Sequence, residues 1–101
     1  MLTFTGNKLT WHIMYEIEFS IKAAKTYFKL PNNIKQIIDI KLDLVASDPY
    51  AKNNNVKALE GMKGCYRLRA GDWRVVYEVI NQNLKIYVIK IGQRKEIYRG
   101  I

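Results

Sequence analysis

A chain of 101 residues that is 49% hydrophobic, 26% charged and carries a net charge of +8 suits one small domain with a single apolar core and an anionic partner. No apolar run approaches the ~20 residues of a membrane span, and residues 1–13 lack the cationic start and apolar stretch of a signal peptide. One cysteine, Cys65, and one histidine, His12, exclude an internal disulfide and a zinc site of the usual kind, and they fit a reducing cytoplasm.

Residues 1–13 read as an appended N-terminal extension, with a single domain over 14–101. Met14 to Phe19 alternates, with Tyr15, Ile17 and Phe19 on one side, and reads as a strand. Ser20 is placed to cap a helix over Ile21 to Leu30 whose apolar side is Ile21, Ala24, Tyr27 and Phe28. Pro31 stops that helix for want of an amide proton. A second helix starts near Pro31 to Asn33 and runs to about Ala46, and the spacing of Ile34, Ile37, Ile38, Lys41, Leu42, Leu44 and Val45 predicts a wide buried face. Tyr50 to Asn55 reads as a polar loop, and Gly61 and Gly64 bracket a turn. From Cys65 the period falls to two, with strands Cys65 to Ala70, Trp73 to Ile80 and Leu84 to Ile91. The expected fold is therefore α+β: an N-terminal strand, a two-helix hairpin and a three-strand antiparallel meander, with the helices on one face of an antiparallel sheet.

The charge is uneven. Residues 1–60 hold eight basic and six acidic groups, a net +2, whereas residues 61–101 hold nine and three, a net +6, and include all five arginines. Arginine binds phosphate through a planar fork of donors. A two-residue loop at Gly71-Asp72 sets Arg69 opposite Arg74, and alternation adds Arg67 to their side. Tyr66, Leu68, Val75 and Tyr77 then face the helices. Like charges directly across a strand pair oppose folding, so this cluster points to an oxyanion or phosphate site. Arg94 follows Gly92-Gln93, where glycine can redirect the chain, and Tyr98 beside Arg99 suits base stacking next to held phosphates. Trp11 and Trp73 read as apolar cover, and Cys65 as inert. No Walker loop or GxGxxG occurs, and no metal or other cofactor is expected.

Gly61-Met62-Lys63-Gly64-Cys65-Tyr66-Arg67-Leu68-Arg69, Gly71-Asp72-Trp73-Arg74-Val75-Val76-Tyr77 and Gly92-Gln93-Arg94-Lys95-Glu96-Ile97-Tyr98 together resemble the RelE toxins of the RelE/ParE superfamily, from Met14 to about Arg99. The resemblance implies a type II toxin that enters the ribosomal A site and cuts mRNA within the codon, without a metal, by attack of a 2′-hydroxyl on the adjacent phosphate. It implies as partners the ribosome, mRNA and a cognate antitoxin with an acidic segment, and operator DNA through the antitoxin complex alone. By position, Arg67 and Arg69 fall at two cationic active-site positions, Arg74 at an arginine that stabilises the pentavalent phosphate, Arg94 at a residue assisting the leaving 5′-oxygen, and Tyr98 at a tyrosine that orients the mRNA. Arg67, Arg69, Lys95 and Arg99 are the expected RNA contacts. The best-studied members carry lysine where this chain has Arg67 and Arg69. Arginine keeps its proton, so the base is water, the ribosome or an unidentified group, and the two arginines become a charge clamp on the phosphorane. The alternatives are a ParE-like inhibitor that binds DNA gyrase, and an inactive relative that binds only its antitoxin.

Overall fold

The computed structural model describes residues 2–5, 8–11 and 14–97. Strands β1 (Leu2–Thr5) and β2 (Lys8–Trp11) pair antiparallel as a two-stranded sheet of their own. The main body follows: β3 (Glu16–Phe19), helices α1 (Ile21–Lys29) and α2 (Asn32–Ser47), then β4 (Val56–Ala58), β5 (Cys65–Ala70), β6 (Trp73–Ile80) and β7 (Lys85–Gln93). These five strands form one sheet in the order β3-β7-β6-β5-β4, with both helices on one face.

The α+β class and the meander are as expected, with two corrections to the sheet. It is mixed, because β3 runs parallel to β7; the two helices supply the long crossover that a parallel pair needs. It also gains β4, antiparallel to β5 at the far edge, just after the Tyr50–Asn55 loop, in residues to which the sequence assigned no element.

Ser20 sets the pose of α1. Its Oγ accepts from the Ala23 amide at 3.0 Å, capping the helix, and donates to the Ile89 carbonyl of β7 at 2.8 Å. Ile89 is the extra residue of a β-bulge, since Val76 faces Lys90 while Tyr77 faces Val88. Held this closely to β7, α1 turns the small Ala23 inward, where it is fully buried. Ile21 and Phe28 are 78% and 73% exposed, contrary to the expected apolar side. On α2 the buried stripe is Ile38, Leu42, Val45 and Ala46, narrower than the periodicity suggested, and Ile37, Ile40 and Leu44 face outward.

Between the helices and the sheet lie Leu68, Val75, Tyr77, Ile86, Val88 and Ile91, with Tyr66 and Trp73 half-buried against them. Tyr66, Leu68, Val75 and Tyr77 thus occupy the helix-facing side as the alternation required. Tyr77 stacks on Tyr66 at 5.6 Å, and its buried hydroxyl has no hydrogen-bond partner among the described residues. Burial, reinforced by the neighbouring Tyr66, pushes its phenol pKa up.

An unsatisfied buried hydroxyl costs about 1–3 kcal/mol, so Tyr77→Phe should leave stability unchanged or raise it by about 1 kcal/mol in urea unfolding. Tyr27 donates to Asp39 Oδ1 at 2.7 Å. That hydrogen bond, then burial, then the carboxylate's charge push its pKa from 10.0 up to about 12. The fold favours the neutral phenol, so this contribution is complete below about pH 10 and disappears as the pH rises toward about 12. The stability difference between wild type and Tyr27→Phe, measured across that window, should shrink as pH increases.

Candidate functional site

The face of the sheet turned away from the helices carries the arginines. Arg69 pairs directly with Arg74, and Ala70 with Trp73, across the two-residue loop. The loop has its positive φ at Gly71 (+62°) and not at Asp72, the arrangement of a type II′ turn with glycine first. Arg69 sends its amide outward to the Asn55 carbonyl, at 2.8 Å. It therefore forms a non-hydrogen-bonded pair with Arg74, the kind in which Cα atoms lie only about 4.5 Å apart.

Two guanidinium groups at such spacing repel, and backbone and amide oxygens take up the charge. Arg69 Nη2 donates to Asn55 Oδ1 at 3.2 Å. Arg74 Nη1 folds back onto the Gly71 and Trp73 carbonyls, at 2.6 and 3.0 Å. Arg74 is nearly buried; it therefore braces the hairpin turn as well as lending charge to the surface. Asn55 is itself set by a hydrogen bond from its amide to Asn53 Oδ1, at 2.9 Å.

The C-terminal turn completes the site. After β7 the chain folds over the outer face, with the Ile97 amide donating to the Gln93 carbonyl at 3.0 Å and the Ile97 side chain fully buried. Gly92, opposite Arg74 in the register, makes this possible: a Cβ there would stand 3.3 Å from Ile97 Cδ1. The Arg94 amide donates to the Asp72 carbonyl at 2.8 Å, which ties the turn to the hairpin loop.

The result is an open cleft of about 330 Å³ lined by Asn54, Asn55, Lys57, Arg67, Arg69, Arg74 and Arg94. Five of these seven residues are cations and none is a carboxylate, so the cleft is built for an anion. Four of the sequence-predicted residues, Arg67, Arg69, Arg74 and Arg94, meet here. Lys95 does not; it borders a neighbouring hollow with Asp72 and Gln93. Tyr98 and Arg99 lie outside the described residues. Sequence reasoning missed Lys57, Asn54 and Asn55. Lys57 stands opposite Arg67 across β4 and β5, and the alternation in Val56-Lys57-Ala58 was the available signal. The acidic groups of this face lie toward its other end, where Glu18 pairs with Lys85 at 3.3 Å and Glu78 faces Cys65. Burial, then the charge of Glu78, pushes the Cys65 thiol pKa up, which suppresses the reactive thiolate.

The chain is similar in sequence and fold to known proteins. The family model described as "ParE toxin of type II toxin-antitoxin system, parDE" matches residues 17–98. The "mRNA interferase toxin RelE" of Escherichia coli (strain K12) is 33% identical over 88 residues, which cover 83% of this chain and 90% of that protein. Among solved structures, the intact E. coli RelBE toxin–antitoxin complex contains a chain that superposes with a TM-score of 0.68 at 32% identity, covering 78% of this chain and 95% of that one. The archaeal RelE–RelB complex from Pyrococcus horikoshii OT3 gives 0.70 at 26% identity, covering 82% and 98%.

Gly92→Val should push Ile97 off the sheet and loosen the turn that carries Arg94. Amide hydrogen exchange at Arg94 and Ile97 should then accelerate about tenfold or more, while Val75 in the core keeps its protection.

Proposed function

The chain belongs to the toxin family of type II toxin–antitoxin systems, and from that premise we propose that it is a ribosome-dependent endoribonuclease that cuts mRNA in the A site and so blocks translation. The observation that carries this reading is the cleft in which Arg67, Arg69, Arg74, Arg94 and Lys57 converge with no carboxylate among them. Four guanidinium groups offer forked donors to the phosphodiester oxygens. They also stabilise the charge that builds up on a pentavalent phosphorane when the adjacent 2′-hydroxyl attacks. With that much fixed positive charge, the reaction needs no metal ion for electrostatic stabilisation. Arg67 and Arg69 act as the clamp, Arg74 holds the phosphorane oxygens, and Arg94, on the C-terminal turn at the edge of the site, assists the departing 5′-oxygen. Tyr98 orients the mRNA, and Lys95 and Arg99 extend the contact along its backbone.

The partner that restrains such a toxin is an antitoxin with an acidic segment, in keeping with the +8 charge and with relatives whose structures hold RelB; operator DNA is reached through that complex. The family model's ParE name supports a second reading, inhibition of DNA gyrase by binding. A cleft lined by four arginines with no carboxylate among its lining residues serves cleavage better than protein binding.

Arg74 is a poor residue for the test because its loss would also release the hairpin turn. Arg94 is the better choice, being exposed and held through its backbone amide. Primer extension on a defined mRNA in a purified translation system should show cuts within A-site codons that require ribosomes. Arg94→Ala should reduce the cleavage rate by about 10²–10³-fold. Intact mRNA together with lost supercoiling activity of gyrase would support the second reading instead.

A further inference from the structure

Of the five cations lining the cleft, four are guanidinium groups, which keep their protons. A 2′-hydroxyl must lose its proton to attack, and among the described residues no carboxylate, imidazole or thiol lines the cleft to take it. Lys57 differs from its neighbours in two ways. It is the one residue lining the cleft, among those described, whose side chain can exist as a neutral amine. Its side chain is exposed and has no hydrogen-bond or ion-pair partner among the described residues, whereas Arg69 and Arg74 are both held. The β4–β5 register sets it directly opposite Arg67, on the side of the sheet where the phosphate is to bind.

We propose that Lys57 is the catalytic base: its neutral amine accepts the proton of the attacking 2′-hydroxyl. This rests on the nuclease reading of the cleft. The 2′-oxygen bonds to phosphorus, the bond from phosphorus to the 5′-oxygen breaks, and the 2′ proton passes to Lys57 Nζ. The departing 5′-oxyanion takes a proton from water, and the hydroxide so formed removes the proton from the Lys57 ammonium. The products are a 2′,3′-cyclic phosphate and a 5′-hydroxyl, and the enzyme returns to its starting state.

The groups facing Lys57 are Arg67 and Arg69 from β5, Arg74 from β6 and Arg94 from the C-terminal turn, with the neutral Asn54 and Asn55 beside them. Lys90 of β7 lies on the same face, opposite Val76. The carboxylates Glu16, Glu18 and Glu78 occupy the far end, and Glu60 follows β4 in the turn. Hydroxide produces the same rise of rate with pH as a lysine base, so the change of profile on substitution at 57 is what identifies the base.

The experiment is single-turnover cleavage of mRNA on programmed ribosomes by wild type, Lys57→Arg and Lys57→Met, followed from about pH 6.5 to about pH 8.5. Thermal unfolding and RNA binding check that each variant is folded. Wild type should speed up by close to tenfold per pH unit, and both variants should be slower by about 10²–10⁴-fold with a flat profile. Lys57→Arg, which keeps the charge but holds its proton, is the decisive variant. A Lys57→Arg rate near that of wild type would reduce Lys57 to a phosphate contact and overturn the proposal. So would a pH slope that survives in Lys57→Met. A wild-type protein that leaves mRNA intact on programmed ribosomes would instead overturn the nuclease reading on which the proposal stands.

Discussion

The arginine pair at the tip of the β5–β6 hairpin is the constraint around which the site is arranged. Arg69 and Arg74 face each other across a narrow strand pair, where a like-charged pair destabilises the sheet. The fold keeps them by giving each guanidinium a set of oxygens. Asn55 from the β4 side holds Arg69, and the Gly71 and Trp73 carbonyls of the turn hold Arg74. Both devices depend on local backbone shape. The first needs Asn53 to fix Asn55, and the second needs a turn that glycine alone adopts without strain. The edge strand β4 thereby gains a purpose: it positions the acceptor for Arg69 and carries Lys57 to the rim.

The other half of the site is a matter of covering the outer face. Gly92 lets Ile97 settle on β7, and this small apolar contact together with the bond to Asp72 brings Arg94 over the cleft. Arg94 therefore depends on a short turn with few partners, whereas Arg67, Arg69 and Arg74 belong to the interior strands of the meander. Three of the arginines of the cleft thus sit on strands and the fourth on a turn.

On the opposite face, Ser20 joins the cap of α1 to the bulge of β7. The bulge keeps two alternations in step. Before it, Val88 and Ile86 point to the core; after it, Lys90 and Gly92 lie on the cationic face while Ile91 still points inward. One extra residue thus lets a single strand serve both the core and the site, and the same contact decides which side of α1 is buried.

Local periodicity and turn chemistry made the meander legible from residues alone. The Gly71-Asp72 loop determined the Arg69–Arg74 register, alternation placed Arg67 beside them, and the same alternation assigned Leu68, Val75 and Tyr77 to the core. These follow from the two-residue repeat of a strand and the backbone demands of a tight turn, both of which act over a few residues. Only the tertiary structure decided what depends on distant partners. The parallel pairing of β3 with β7 joins strands separated by two helices and three other strands. The rotation of α1 comes from Ser20 bonding to Ile89. The narrow buried stripe of α2 reflects how much of that helix the sheet can cover. The recruitment of Lys57, Asn54 and Asn55 required β4 to add to the sheet edge, and a three-residue strand in an asparagine-rich segment has too short an alternation to declare itself before a neighbour supplies the hydrogen bonds.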